Sequence, residues 1–277
     1  MTRLPKLSVL LLTYRQPEIL LLTLRDLGAQ DYPADAWELV VLDDGSRDSS
    51  AELAVSQLSP DIAITVRRMR AGGTYSLASA SNELLRLADR SSEAFVHVED
   101  VRLKGDFLRQ HAKWHVSEAR EALVTGPMCE GPAESFDPTA CIRWPLMEMS
   151  GVTSDAYRCC FQAVFAKSMS YSKRLRDMLT PPGGSGPFDT TMTGWGYQET
   201  EFAFRAQQAG MACIYDTACA VYHPNHSARD ESFYRGFDRA MLKSSGTARN
   251  SAYICSKHGL ERFPEWRVGV PVESPMA

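Results

Sequence analysis

Two glutamates follow a tight glycine-rich turn in the stretch TGWGYQETEF, residues 193–202. Glu199 and Glu201 would lie in the first turn of a helix, where the positive end of the helix dipole favours carboxylates, so capping is one interpretation. The glycines of the turn allow close backbone approach, and Trp195 between them offers a flat face on which a sugar ring could stack. A carboxylate beside such a platform could act as a general base for a hydroxyl, which is the catalytic interpretation.

Acidic residues also end two apolar runs in the first hundred residues. Asp43 and Asp44 follow one run, and Glu99 and Asp100 follow another. The first pair could be only a turn before a helix N-cap, which is the commoner use of such residues. A pair of carboxylates that ends an apolar strand instead favours a site for a divalent cation.

The elements that carry these residues alternate between apolar runs and helical patterns. The predicted strands are 7–13, 37–42, 62–67 and 95–98, and the predicted helices between them are 17–30, 49–58 and 74–88. This alternation predicts an α/β fold with a mostly parallel sheet. In such a sheet ligands bind outside the carboxyl ends of the strands, where the strand order reverses, so we expect the polar strand ends to converge on one crevice.

The pattern is less regular beyond residue 104. It predicts a helix over 105–119, a strand over 122–125, a helix from Glu199 that stops at Gly210, strand pairs over 212–222, and a helical and then extended tail from Arg229. His111 and His115 have the i, i+4 spacing of a metal-binding pair. Their stretch looks like a mostly solvated helix and has no matching carboxylate nearby in sequence, which argues against a metal site.

Composition and charge narrow the class of partner. The chain has 277 residues, 44% hydrophobic and 23% charged, with a net charge of −4, which does not favour binding to nucleic acid or anionic membranes. The first apolar run is too short for a transmembrane segment. Seven cysteines without regular spacing predict neither a disulfide framework nor structural zinc, so we expect a cytoplasmic protein.

Four sequence blocks occur together and in order. They are the opening SVLLLTYRQPEILLLTLRDLGAQDYPADAWELVVLDDGSRDSS, the strand end FVHVED, the block GPFDTTMTGWGYQETEFAFR and the later VYHPNH. Together they resemble the family-two inverting glycosyltransferases of GT-A fold, over residues 5–226. The resemblance implies a Rossmann-like α/β fold, with a mostly parallel central sheet, flanking helices and a small C-terminal helical extension.

The same resemblance implies a division of the chain into three parts. Residues 1–103 would form the half that binds the nucleotide-sugar donor, and residues 104–228 the acceptor-binding and catalytic half of the same GT-A domain. Residues 229–277 would form the C-terminal helical extension and tail.

The donor site implied by the resemblance lies in the first block. Thr13, Tyr14 and Arg15 fall where the family lines the pocket for the nucleotide base. Asp44, with Asp43 beside it, falls where an aspartate accepts a hydrogen bond from the base.

The implied metal site combines two later blocks. Glu99 and Asp100 occupy the place of the family's Asp-x-Asp motif, which contacts the ribose and, through its last carboxylate, a divalent metal on the donor diphosphate. His223 matches a histidine that completes the metal site in related enzymes, and His226 is the alternative. The implied cofactor is Mn2+ or Mg2+, bound by Asp100 and His223.

The implied acceptor site is the turn described first. Trp195, Gly196 and Gln198 fall where the family packs the sugar and acceptor, and Glu199 falls where it places the catalytic base. This chain departs from the usual pattern, because the family usually has Asp at the positions of Glu199 and Glu99 and an acid at that of Gln198.

These positions imply a metal-dependent, inverting transfer of a sugar from a nucleoside diphosphate sugar. The first choice of donor is a UDP-sugar, and thymine and guanine are the alternative bases. The acceptor hydroxyl could belong to a saccharide, a peptide, a lipid-linked saccharide or a small molecule. If Glu199 is not the base, Glu201 and Asp189 are the next candidates.

Two alternatives stay open. A nucleotidyltransferase would have the same architecture, but it normally has a glycine-rich basic loop after the first strand, and TYRQPEIL has no glycine. A sugar-nucleotide-binding protein that has lost catalysis is compatible with the replacements at Gln198 and Glu99.

Overall fold

The computed structural model describes residues 3–14, 16–46, 55, 58–69, 76–116, 122–131, 156–159, 161–194, 196–224, 239–262 and 268–272. Three residues singled out above, Arg15, Trp195 and His226, lie outside the described residues. So does most of the predicted helix 49–58.

The first hundred residues form four strands with helices between them. They are β1 (Leu7–Thr13), α1 (Pro17–Gly28), β2 (Trp37–Asp43), β3 (Ala63–Arg68), α2 (Leu77–Leu87) and β4 (Ala94–Glu99). Every residue of β1 and β2 is buried, as is typical of parallel strands that are covered on both faces. Helix α1 begins with Pro17, whose fixed φ suits the first helical position. Helix α2 is capped by Ser76, whose side chain accepts a hydrogen bond from the backbone N–H of Ser79.

The rest of the chain adds shorter strands and four helices to the described structure. They are β5 (Arg102–Leu103), α3 (Phe107–Ala112), β6 (Ala122–Thr125), β7 (Met128–Gly131), β8 (Ala156–Cys159), β9 (Ser168–Ser172), α4 (Lys173–Leu179), α5 (Gln198–Gln208), β10 (Ala212–Asp216), β11 (Val221–Pro224), α6 (Arg239–His258) and β12 (Val268–Val272). The predicted stop of the Glu199 helix is confirmed, because Gly210 has a φ of +84° just after α5.

Nine strands form one sheet in the order β12-β8-β10-β6-β9-β4-β1-β2-β3, and β5-β11-β7 form a second, smaller sheet. In the large sheet, β8 and β9 run antiparallel to their neighbours, and every other neighbouring pair is parallel. The other seven strands therefore point the same way, so the predicted mostly parallel α/β sheet is confirmed.

The strand order reverses beside β1. This strand pairs with β2 on one side and β4 on the other, with Thr13 opposite Asp43 and Leu12 opposite Glu99. The carboxyl ends of the three strands therefore meet at one edge, which is the place where open α/β sheets bind ligands.

The hydrophobic core lies on both faces of the large sheet, because successive side chains of a strand point to opposite faces. Leu10 and Leu12 of β1 pack in one cluster with Phe202 of α5, while Val9 and Leu11 pack in the other. Helix α5, which begins with the predicted site residues, is thus anchored to the sheet through its apolar side.

The helix predicted over 105–119 is shorter than expected, since α3 ends at Ala112. His111 and His115 are buried and not solvated. The ring nitrogens of His111 lie 2.8 Å from Ser170 Oγ and 3.2 Å from Ser168 Oγ, and Nε2 of His115 lies 2.8 Å from Ser170 Oγ. Burial lowers the pKa of both imidazoles, which supports the structural role over a metal site.

Strands of the large sheet come from all three predicted parts of the chain, and the division at residues 103 and 228 stays a prediction. No helix within the described ranges is long and apolar enough to cross a membrane.

Candidate active site

The two aspartates at the end of β2 have different environments. Asp43 is 1% exposed, and its Oδ1 accepts a hydrogen bond of 2.8 Å from the backbone N–H of Ser46. Nε of Arg68 lies 3.3 Å from its Oδ2. The side chain of Asp43 therefore stabilises the turn that follows β2, as in the turn interpretation of this pair.

Asp44 is partly exposed at the same edge of the sheet. Its backbone N–H donates to the carbonyl oxygen of Thr13 at 2.9 Å, which ties the ends of β1 and β2 together beside Tyr14. Burial, with a contribution from the negative charge of Asp43, raises the pKa of Asp44 to about 6. No group among the described residues donates a hydrogen bond to its carboxylate, so the carboxylate is available to a ligand.

Glu99 and Asp100 end β4 at the predicted crevice. Asp100 has a φ of 45°, a left-handed conformation that is uncommon for a residue with a side chain and that occurs often at functional sites. Burial raises the pKa of Glu99 to about 7; the positive charge of Lys167 opposes this shift, and the charges of Asp100 and Glu199 add to it. These couplings mean that Glu99 lies close to Glu199 from the distant turn.

Lys167 is a site residue that the sequence analysis missed. Strand β9 pairs antiparallel with β4, with Ser168 opposite Val98, so Lys167 comes next, opposite Glu99. Residues opposite each other in an antiparallel pair have Cβ atoms about 4.5 to 5.5 Å apart. The positive charge of Lys167 also acts on Glu199, so this lysine is within electrostatic range of both glutamates. Only the β4–β9 register reveals it, because nothing around it in sequence marks it.

The turn before α5 has an unusual backbone. Gly194, Gly196 and Tyr197 have φ values of +73°, +97° and 70°, and Tyr197 provides no side-chain cap to the helix. Gln198 is 1% exposed, and its Nε2 donates to the carbonyl oxygen of Gly194 at 2.8 Å. A carboxylate has no N–H group to donate and could not make this bond. Gln198, at a position where the family usually has an acid, therefore adds a hydrogen bond within the turn.

Glu199 is the first acidic residue of α5. Its Oε2 is buried and has no hydrogen-bond partner among the described residues. Burial raises the pKa of Glu199, while its own backbone N–H and the charge of Lys167 oppose the shift. A buried carboxylate oxygen without a donor binds a proton more readily than a solvated one, as a general base must.

The alternative bases Glu201 and Asp189 are occupied by cations. Glu201 is fully buried and lies 2.9 Å from Arg205 Nε, 2.6 Å from Lys257 Nζ and 3.2 Å from His258 Nε2. Asp189 lies 2.6 Å from the same Lys257 Nζ. Burial by itself would raise the pKa of both carboxyl groups. Hydrogen bonds to these cations outweigh burial and hold both pKa values below the ordinary value. These two acids therefore suit a structural role better than catalysis.

The two predicted metal ligands lie at the same end of the β5–β11 pairing, Asp100 before β5 and His223 after Tyr222 in β11. Strands β5 and β11 are antiparallel with Arg102 opposite Tyr222, so His223 comes opposite Val101, next to Asp100. A carboxylate and an imidazole suit Mn2+, whose remaining positions the donor phosphates could fill. Within the described ranges, no three His, Cys, Asp or Glu side chains are grouped to bind an ion. The residues present therefore fit an ion that is shared with a ligand.

The structure thus brings Thr13, Asp44, Glu99 and Asp100 to one sheet edge and places Glu199 beside Glu99. A nucleotide at the strand ends and a hydroxyl at the start of α5 would meet at this crevice.

Comparison with known proteins extends this picture. Residues 8–96 match the family described as glycosyl transferase family 2. Validoxylamine A glucosyltransferase of Streptomyces hygroscopicus subsp. jinggangensis is 24% identical over 95% of this chain and 68% of its own length.

Solved structures share the fold at low sequence identity. The mannosyltransferase PcManGT from Pyrobaculum calidifontis, in complex with GDP-Man and Mn2+, is 20% identical with a TM-score of 0.58, and the match covers 84% of this chain and 61% of that chain. GalNAc-T7, with UDP, GalNAc and Mn2+, is 14% identical with a TM-score of 0.61, and the match covers 92% of this chain and 48% of that chain.

The family match and the glucosyltransferase relative support the predicted enzyme class, a glycosyltransferase. The sheet topology and the structural neighbours confirm the predicted fold. Residues 8–96 thus match glycosyl transferase family 2, and the chain has the GT-A fold of the glycosyltransferases that it resembles.

Proposed function

We propose that this protein transfers a sugar from a nucleoside diphosphate sugar to an acceptor hydroxyl, with inversion at the anomeric carbon and with a divalent cation. The observation that carries the proposal is the Oε2 of Glu199, which is buried without a donor among the described residues and is electrostatically coupled to Glu99 of the strand-end pair Glu99 and Asp100. The carboxylate of Glu199 supplies a base on one side of the crevice, and the other side of the crevice can hold a nucleotide.

The donor would bind at the carboxyl ends of β1, β2 and β4. Thr13 and Tyr14 would line the pocket for the base, with Arg15 from outside the described residues. The available carboxylate of Asp44 would accept a hydrogen bond from the base, and Glu99 would contact the ribose.

Glu199 would take the proton from the acceptor hydroxyl through Oε2. The hydroxyl oxygen would then attack the anomeric carbon from the face opposite the diphosphate, forming the new glycosidic bond as the bond to the phosphate oxygen breaks. One such displacement inverts the anomeric configuration. Gly196, Gln198 and Trp195 of the turn would pack against the sugar and acceptor.

Asp100 and His223 would hold Mn2+ or Mg2+. When bound, the cation neutralises the negative charge that develops on the departing diphosphate. Lys167, which lies opposite Glu99, places a fixed positive charge in the same crevice.

The identities of the donor base and the acceptor require an experiment, because the structures compared hold different nucleotides. PcManGT holds GDP-Man and GalNAc-T7 holds UDP. We propose UDP-sugars as the first donors and GDP-sugars as the second. The acceptor classes are a saccharide, a peptide, a lipid-linked saccharide and a small molecule.

The test is incubation of the protein with radiolabelled UDP- and GDP-sugars, Mn2+ and acceptors of each class. Transfer of label to an acceptor, with an anomeric configuration in the product opposite to that of the donor, supports the proposal. Nucleotide-sugar binding without transfer or hydrolysis favours the non-catalytic alternative. Release of pyrophosphate from a nucleoside triphosphate and a sugar phosphate favours a nucleotidyltransferase.

The metal assignment has its own test. Calorimetry should show that Mn2+ tightens the binding of the nucleoside diphosphate to the wild type, and that His223→Ala loses most of this enhancement. His115→Ala is the control, because His115 is also buried but lies at the end of α3. Full enhancement in His223→Ala would make His223 a structural residue.

A further inference from the structure

The C-terminal helix α6 contacts the turn that carries the proposed base. Asn250 is 1% exposed, and its Nδ2 donates to the carbonyl oxygen of Gly196 at 2.8 Å and lies 3.4 Å from that of Thr193. Nη2 of Arg249 donates to the same Thr193 carbonyl. Two neighbouring residues of one helix thus satisfy two carbonyl groups of the turn.

Helix α6 packs closely against the two glycines of the turn, Gly194 and Gly196. A Cβ atom on Gly196 would lie 2.6 Å from Cγ2 of Thr247, and a Cβ atom on Gly194 would lie 2.8 Å from Nη2 of Arg249. Real Cβ contacts do not reach such distances, so a side chain at Gly196 would displace Thr247, and one at Gly194 would displace the flexible end of Arg249; the positive φ of both residues also favours glycine. The shape of the turn and the position of α6 therefore depend on each other.

Residues in the next two turns of α6 contact the chain segments before and after the glycine-rich turn. Oη of Tyr253 donates to Oδ2 of Asp189 at 2.8 Å, and Nζ of Lys257 lies 2.6 Å from both Asp189 and Glu201. Tyr253 and Lys257 are three and seven residues after Asn250, which places all three on one face of the helix. This face contacts the chain before the turn, the turn itself and the first turn of α5.

Among the described residues, the turn is also held by a β-bridge between Gly194 and Ser76. Tyr197 adopts a left-handed conformation and does not cap α5, and Gln198 makes the internal hydrogen bond to Gly194. The direction in which Glu199 leaves this turn is set by the same backbone. We propose that α6 is a positioning element for Glu199 and that Asn250 is its main positioning residue, an inference that rests on the proposed function.

The experiment compares Asn250→Ala and Asn250→Asp with the control Ser256→Ala, which alters an exposed position of the same helix. Asp has the size of Asn but turns an oxygen, not an N–H group, toward the two carbonyls. A displacement of the base of about 1 Å can cost about 100-fold in rate, so we expect kcat for transfer to fall about 10- to 100-fold in both variants. The KM for the donor and the nucleotide Kd should stay close to the wild type, as should every parameter of the control.

A purely structural role would lower the melting temperature and leave kcat below that temperature unchanged. Asn250→Ser, which keeps a donor on a shorter side chain, should recover part of the lost turnover. Wild-type kcat in a folded Asn250→Ala would overturn the inference. If the buried variants do not fold, Arg249→Ala decides, since Arg249 is exposed; it should lower kcat, and an unchanged kcat would overturn the inference.

The outcome also separates this inference from the proposed function. If the wild type binds nucleotide but transfers no sugar, the proposed function fails. If the wild type and Asn250→Ala transfer equally well, only the role of α6 fails.

Discussion

Glu199 and Glu201 lie two residues apart in the first turn of the same helix, yet their surroundings are opposite. Oε2 of Glu199 is buried without a donor, and burial raises the pKa of this carboxyl group. Glu201 contacts Arg205, Lys257 and His258, and its pKa is lowered. The helix dipole acts on both glutamates, so it cannot explain the difference.

The difference between the two environments separates a catalytic from a structural carboxylate. A carboxylate surrounded by cations is held ionised, and its lone pairs are occupied, so it gains little by taking a proton. A buried carboxylate with a vacant oxygen has lost its hydration without replacement, and it accepts a proton more readily. Substitutions at both positions, and at the donor site, test this difference between the two carboxylates.

The largest expected effect is on turnover in Glu199→Gln. The substitution keeps the size of the side chain and removes the base, so transfer should fall by about 10² to 10⁴ while nucleotide binding is preserved. The melting temperature should stay at the wild-type value or rise, because the charge on a carboxylate whose Oε2 is buried without a donor among the described residues is removed. Near-normal turnover with a lowered melting temperature would instead make Glu199 a helix cap.

Glu201→Gln should show the reverse pattern. Removal of one charge from a buried ion-pair cluster leaves Arg205 and His258 without this carboxylate, while Lys257 keeps Asp189, so urea unfolding should show a loss of about 3 kcal/mol. Turnover per folded molecule should fall far less than in Glu199→Gln. Unchanged stability, with turnover reduced as strongly as in that variant, would move the catalytic role to Glu201.

A smaller effect is expected at the donor site. Asp44→Ala should weaken nucleoside diphosphate binding by about 1 to 3 kcal/mol, because the base loses a charge-assisted hydrogen bond. Calorimetry measures this directly, with Asp35→Ala as a control at an exposed acid remote in sequence from the strand ends. Wild-type affinity in folded Asp44→Ala would exclude Asp44 from the base pocket.

Much of the fold could be predicted because its first half is built from local signals. The strands over 7–13 and 122–125 have the predicted bounds. Parallel strands end at a common edge, so the acids after β2 and β4 were expected to converge on one crevice. The registers that place Thr13 opposite Asp43 and Leu12 opposite Glu99 confirm that these strand ends meet.

The parts that escaped prediction depend on pairing between distant segments. Lys167 reaches the site only through the antiparallel pairing of β9 with β4, and Asn250 only through the packing of α6 on the turn. His111 and His115 looked solvated because the serines that pair with them belong to β9. No pattern within a single helix or strand records such contacts.

The most direct test of Glu199 as the base is the pH dependence of kcat, measured with saturating donor and acceptor. The base must be ionised, so kcat should fall as the pH drops through the pKa of Glu199, which burial raises above the ordinary value of a glutamate. Lys167→Met removes a charge that opposes this rise, so the acid limb should move to higher pH. The residual turnover of Glu199→Gln should lose the acid limb. An acid limb that persists unchanged in Glu199→Gln would contradict the account and assign the titration to another group, with Glu99 the nearest candidate.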